Sequence, residues 1–190
     1  MKVISTAHRV VKPHATIGNI SFILERHAQE NEHGSTLFRI AGLVMEAFFI
    51  EGYSTVVAIN LPNTDELLNI SGTKDRIKTI FKSADPSADF GKRPYQSIIN
   101  LFKFRDSMAH PSKEMFNEEK ELSLEDARNI SIKDVRWNLT TDTEKFCTLD
   151  NSLLIREDVM KVIERTWHNE WKSYPLDSGM LFVSHKPKGE

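Results

Sequence analysis

From Thr36 to about Ala58, apolar residues fall on nearly every face that a helix would present. Leu37, Ile40, Leu43, Val44, Ala47, Phe48 and Ile50 do not collect into one stripe. A surface helix keeps its apolar side chains on one side, so a helix that is apolar all round belongs at the centre of a bundle, packed from several directions. The tail Ser54–Ile59 is rich in β-branched residues and also suits a strand; length and continuity favour helix. The same stretch, Leu37 to Leu61, carries Arg39, Glu46, Glu51, Gly52 and Asn60, which fits a buried helix better than a membrane span. This one element already predicts a helical core built around a single long helix.

The rest of the chain supplies the helices to surround it. Ile17, Ile20, Phe22, Ile23, Leu24 and Ala28 repeat at roughly the helical period over Thr16–Asn31. Gly34 ends that helix, and Ser35 is expected to cap the next, giving a long hairpin. Shorter helices are expected at Thr64–Ile70 and, with Thr73 as cap, at Thr73–Ser83. The second sets Ile77, Ile80 and Phe81 opposite Lys74, Lys78 and Lys82. Tyr95 to about Ala109 follows, with Ile98, Ile99, Leu101 and Phe102 toward the core. Residues 111–150 look less regular, with a short helix near Leu124–Arg128. Glu157–Lys172 closes the chain. Met1–Ile4 and Met180–Ser184 suit minor strands at the termini. No repeat or linker divides the 190 residues, so we expect one all-α domain spanning 1–190 with its core at about 16–175.

Composition narrows the setting. With 39% hydrophobic and 27% charged residues, and a mean hydropathy of −0.39, the chain reads as soluble and globular. Nothing before His8 and Arg9 resembles the apolar part of a signal peptide, and the lone Cys147 allows no internal disulfide or zinc knuckle. A cytoplasmic location without membrane association is the expectation. Net charge is −2, yet residues 72–113 hold nine Lys/Arg against four Asp, and 114–126 hold six acids against one lysine. Such runs are commonly two solvated faces of opposite sign; a local basic surface around Arg105 would also attract a phosphate backbone.

Arginine followed by histidine four to six residues later occurs three times: Arg9…His14, Arg26…His33 and Arg105…His110. The first crosses Pro13 in an extended segment. The second straddles a helix end among Glu25, Glu30 and Glu32, a surface that repels RNA. The third lies within the basic segment at the end of a helix, and Pro111 disfavours helical geometry at His110. Leaving the helix there lets His110 swing back toward Arg105. Asp106 can orient either side chain. A helix-capping His110 beside a surface Arg105 is the plainer alternative.

The arrangement Arg105-Asp106-Ser107-Met108-Ala109-His110-Pro111 resembles the R-x(4–6)-H motif of the HEPN superfamily, whose members are all-α bundles. The glutamate-bearing Val44-Met45-Glu46-Ala47-Phe48-Phe49 is similar to an early apolar helix in many members. Trp167 and Trp171 before Tyr174-Pro175 resemble an aromatic closing helix. The resemblance spans roughly Gly34 to Pro175. It implies a homodimeric, metal-independent endoribonuclease that needs no cofactor, of the kind found in toxin–antitoxin or defence systems, with an antitoxin or other protein as a further partner. The long apolar helix and the Tyr95–Ala109 helix are the expected dimer elements. His110 would act as general acid and base around the 2′-hydroxyl, and Arg105 would bind the scissile phosphate. Asp106 stands where the ribonuclease members usually carry asparagine. This leaves a non-catalytic HEPN-like dimerisation, nucleotide-binding or partner-binding domain as the alternative. We assign Lys92, Arg93, Lys103 and Lys113 to RNA contact. Glu46, a carboxylate in an apolar helix, is expected to pair with Arg105 or another arginine and so to support the site.

His27 and His33 with Glu30 and Glu32 read as a polar helix end, not as metal ligands. Ser71-Gly72-Thr73-Lys74 lacks the framework of a phosphate loop.

Overall fold

A computed structural model of the chain describes residues 3–11, 13–110, 123–129, 141–167 and 179–187. Eight helices are described: α1 Pro13–Glu30, α2 Ser35–Ile59, α3 Thr64–Leu68, α4 Thr73–Ala84, α5 Tyr95–Ala109, α6 Leu124–Asn129, α7 Asp142–Phe146 and α8 Leu149–Thr166. Two strands flank them. β1, Val3–Val11, pairs antiparallel with β2, Gly179–Pro187, in a register that sets Val3 opposite Pro187 and Val11 opposite Gly179. The fold is thus mostly helical, and both strands are longer than the short terminal segments expected.

The apolar α2 lies at the centre, contacting α1, α3, α4, α5 and α8. Its tail is helical, and Val57 and Ala58 are wholly buried. Tyr53 marks the middle of the core: its ring touches Phe49 and Phe81, and its hydroxyl meets Thr166 Oγ1 at 3.0 Å. Ile50, Ile98, Leu101, Phe102, Val159 and Ile163 complete the packing. α2 is also long and apolar enough to cross a bilayer by length and composition, but half of its most apolar window is buried within the bundle, as in a core helix.

α1 and α2 form the expected hairpin, and they approach so closely that side chains are excluded. A β-carbon at Gly52 would lie 2.7 Å from His14 Cβ, and one at Gly18 would meet the Phe49 ring at 3.0 Å. His14, from the first Arg–His pair, is therefore buried against Phe49.

Several local expectations change. Ser35 does not cap α2: Gly34 occupies the cap at φ 77°, a left-handed conformation that glycine adopts without strain, and Ser35 Oγ instead accepts a bond from Arg39. Gly72, at φ 83°, precedes α4, so Thr73 is its first helical residue. α8 begins eight residues before the expected Glu157, behind Thr148, whose hydroxyl accepts the Asn151 N–H. A short α7 precedes it, fixed by a reciprocal cap between Thr141 and Glu144. α8 ends at Thr166, and the half-buried Trp167 packs on the core. Pro111, Lys113, Trp171, Tyr174 and Pro175 lie outside the described residues.

Candidate functional site

α5 is anchored at its start by Arg93. That guanidinium donates to both oxygens of Asp158 on α8, at 2.6 and 2.9 Å, and Ser97 donates to the same carboxylate. Asp158 is 1% exposed. Burial pushes its carboxyl upward, but the bonds from Arg93 and Ser97 outweigh that and hold it below the usual range. Arg93 is therefore a structural pin, with its side chain 44% exposed.

At the other end of α5, Arg105 sits with its side chain 15% exposed. Phe102, one turn earlier, lies under the guanidinium at 4.9 Å, and Phe48 of α2 faces it at 5.8 Å. Glu51, one turn beyond Phe48, accepts from Arg105 Nη1 at 2.6 Å. Asp106 accepts from Nη2 at 2.9 Å and from Nε at 3.3 Å. The first turn of α4 completes the cluster. Lys74 pairs with Asp106 at 2.7 Å, while Arg76 at 3.2 Å and the Thr73 hydroxyl at 3.5 Å both reach Glu51. Charges alternate along one line: Arg76, Glu51, Arg105, Asp106, Lys74. The bond from Lys74, and secondarily those from Arg105, keep the Asp106 carboxyl below its ordinary range despite burial.

His110 terminates α5. Its N–H still bonds the Asp106 carbonyl at 2.9 Å, but its φ of −129° and ψ of 67° have left the helix, as the proline behind it predicts. The residue is exposed, and its ring makes no hydrogen bond among the described residues. The Asp106 carboxylate orients Arg105 and Lys74, and no bond joins it to the His110 ring among the described residues.

A guanidinium has five N–H donors. Glu51 and Asp106 engage three in Arg105, which leaves two for a ligand among the described contacts. The site is thus an oriented fork flanked by two aromatic rings, with the exposed His110 five residues on at the helix end.

The remaining assignments scatter. Glu46 is 4% exposed but pairs with Arg156 of α8 at 3.6 Å and accepts the Ser21 hydroxyl; its partner is another arginine and not Arg105. Burial raises its carboxyl above the ordinary value, against the pull of Arg156 and Ser21. The carboxylate that supports Arg105 is Glu51, five residues on and about 140° round the helix. Lys103 lies about 160° away from Arg105 around α5 and lines a groove with Phe104, Asp142 and Phe146. Lys92 is exposed in the loop before α5, 3.7 Å from Asp89. Lys74 and Arg76, unassigned from sequence, are the cations beside Arg105; their place at the start of a helix contacting α2 was the available signal.

Exposed apolar side chains gather on the hairpin and not on α5: Ile20, Phe22 and Ile23 on α1, and Leu37 and Phe48 on α2. Phe48, 42% exposed, is the one that touches the site. No protein family, curated protein or solved structure matches the chain.

Proposed function

We propose that this chain is a HEPN-like, metal-independent endoribonuclease in which Arg105 and His110 act on the RNA backbone. The observation that carries the reading is the held guanidinium. Glu51 and Asp106 fix Arg105 from two sides, and the exposed imidazole of His110 stands at the end of the same helix. His110 takes the proton from a 2′-hydroxyl, and the freed oxygen attacks the adjacent phosphorus. The unengaged N–H groups of Arg105 hold the non-bridging oxygens as their charge grows. The 5′-oxygen leaves, and the products are a 2′,3′-cyclic phosphate and a 5′-hydroxyl.

The departing 5′-oxygen needs a proton, and a two-fold dimer supplies it from the partner subunit's His110. Phe48 supports this geometry: an interface that covers it also brings two copies of Arg105 toward one cleft. A toxin–antitoxin or defence setting follows from the family resemblance alone.

A second reading has its own support. The same two carboxylates put negative charge where a phosphate must bind, which suits a HEPN-like domain that dimerises or binds a partner without cutting.

Cleavage of end-labelled RNA in EDTA separates the two. The wild type is expected to leave 2′,3′-cyclic phosphate ends. His110→Ala, which touches an exposed ring, is expected to lower the rate by about 10²–10⁴ without lowering the melting temperature. Arg105→Ala is expected to abolish cleavage. RNA left intact by the wild type, or cut equally by both variants, overturns the ribonuclease reading.

A further inference from the structure

A groove lies away from Arg105, along α4. It holds about 700 Å³ between the helix and the loop at 85–91, lined by Lys78, Thr79, Lys82, Ser83, Ser87 and Phe90. Lys74, Lys78 and Lys82 stand at i, i+4 and i+8, so they share one face, which borders the stripe of buried Ile77, Ile80 and Phe81. Successive lysines are about 6 Å apart along the axis. The first of them reaches Asp106, next to Arg105, and the last lies in the groove. Lys92, with its side chain 82% exposed, follows beyond Asp89 at the groove's edge. A basic row therefore leads from the Arg–His site to the far end of α4.

We propose that this row is the track on which a single RNA strand lies as it enters the site, one backbone phosphate to each lysine. The inference rests on the ribonuclease reading for its direction and on the α4 geometry for its substance. One row of cations, about 12 Å from Lys74 to Lys82, matches one sugar–phosphate backbone and offers nothing to a duplex's second strand. Residues 73–93 carry six Lys/Arg against three Asp. Of the cations, Arg93 is committed to Asp158, Arg76 to Glu51 and Lys74 to Asp106. Of the acids, Asp85 is occupied by Ser87 and Tyr95, and Asp89 by Lys92 and the Gly91 N–H. Asp75 reaches Lys78 only at 3.8 Å. Lys82 spends one of its three donors on the Ala88 carbonyl. Lys78, Lys82 and Lys92 keep N–H donors for a polyanion.

The test uses the full chain and a fluorescent single-stranded 2′-O-methyl RNA, which cannot be cut, with anisotropy read at several salt concentrations. Each phosphate contact on a single strand contributes about 0.7 to the slope of log K against log salt. Lys78→Gln with Lys82→Gln is expected to lower that slope by about 1.4. Lys145→Gln with Lys161→Gln, exposed on α7 and α8, is expected to leave it unchanged. On unmodified RNA the α4 double variant is expected to raise KM and keep kcat. Cleavage with an unaltered slope and KM overturns the track and leaves the ribonuclease reading standing. Binding with the expected loss of slope, but no cleavage by the wild type, overturns the ribonuclease reading and leaves the track. A wild type that binds no oligonucleotide overturns the track. Polyglutamate bound as tightly as the oligonucleotide, and lost in the same variant, assigns the row to an acidic protein instead.

Discussion

Replacing Glu51 by glutamine removes the charge that Arg105 and Arg76 share while preserving the side chain's size. An exposed ion pair contributes about 0–1 kcal/mol, and removing one partner of a fully buried pair costs about 3–5 kcal/mol. The Glu51–Arg105 pair lies between these limits, its side chains 27% and 15% exposed at 2.6 Å. Asp106 continues to hold the other side of the guanidinium, and the glutamine oxygen still accepts one bond. We expect Glu51→Gln to cost about 1.5 kcal/mol. In a chain of this size that lowers the melting temperature by about 3–6 °C. Circular dichroism on heating measures it. Cleavage at saturating RNA gives the functional half: with its restraint gone, Arg105 turns more freely, so RNA binds more tightly and is cut more slowly. A melting temperature within about a degree of wild type refutes the clamp. Faster cutting shows that Glu51 competes with the phosphate and does not orient the arginine.

Three further outcomes follow from the buried polar groups. Because burial raises the Glu46 carboxyl above 4.5, its ionised form costs stability at higher pH and nothing below that value. Glu46→Gln is therefore expected to exceed wild type in urea midpoint at pH 8, by a margin that closes toward pH 4.5; an equal margin at both ends refutes it. Asp158 is the opposite case, held below 3.8, so its contribution is present above that value and is lost as the pH falls through its lower folded value. With Arg93 partly exposed and able to turn to water, Asp158→Asn is expected to cost about 2 kcal/mol at neutral pH and to soften the acid transition below pH 3.8, and an unchanged acid limb contradicts the assignment. Burial pushes the Cys147 thiol up to about 11, so a disulfide reagent at pH 8 is expected to label it only in denaturant; labelling of the native chain at the rate of a free thiol would exclude a buried group.

The helices whose apolar period is strong appear where the sequence places them, and α2, α4 and α5 bury most of the residues that carry it; α1 buries His14, Ala15, Ser21, Glu25 and Ala28 instead and leaves Ile20, Phe22 and Ile23 exposed. The caps were less legible. Serine and threonine are favoured before a helix, but Gly34 and Gly72 adopt positive φ there and displace both candidates. The start of α8 was missed because Thr148 and Asn151 make a polar first turn that looks like loop. In the site, Arg105 and His110 were readable from local order, since five residues and a helix end are a local matter. The partner of Arg105 was not. Glu46 and Glu51 are equally conspicuous in an apolar helix, and only the packing of α2 decides that one faces Arg156 and the other Arg105. Arg93 and Lys103 stand apart from Arg105 for reasons sequence order does not show: Arg93 precedes α5 and pairs with Asp158, and Lys103 is about 160° from Arg105 around the helix.

The tight hairpin of α1 and α2 has a consequence for the order in which the molecule comes together. Its contacts join segments close in sequence, and loops of that length close fast, so the pair can zip early around Gly18 and Gly52. At that stage Glu51 is a carboxylate without its arginine, because Arg105 arrives 54 residues later with α5. The Arg105 cluster is thus a product of the docking of α4 and α5 and not of the hairpin itself. A partly folded chain carries the hairpin scaffold without the ion-pair cluster, which is complete only in the finished bundle.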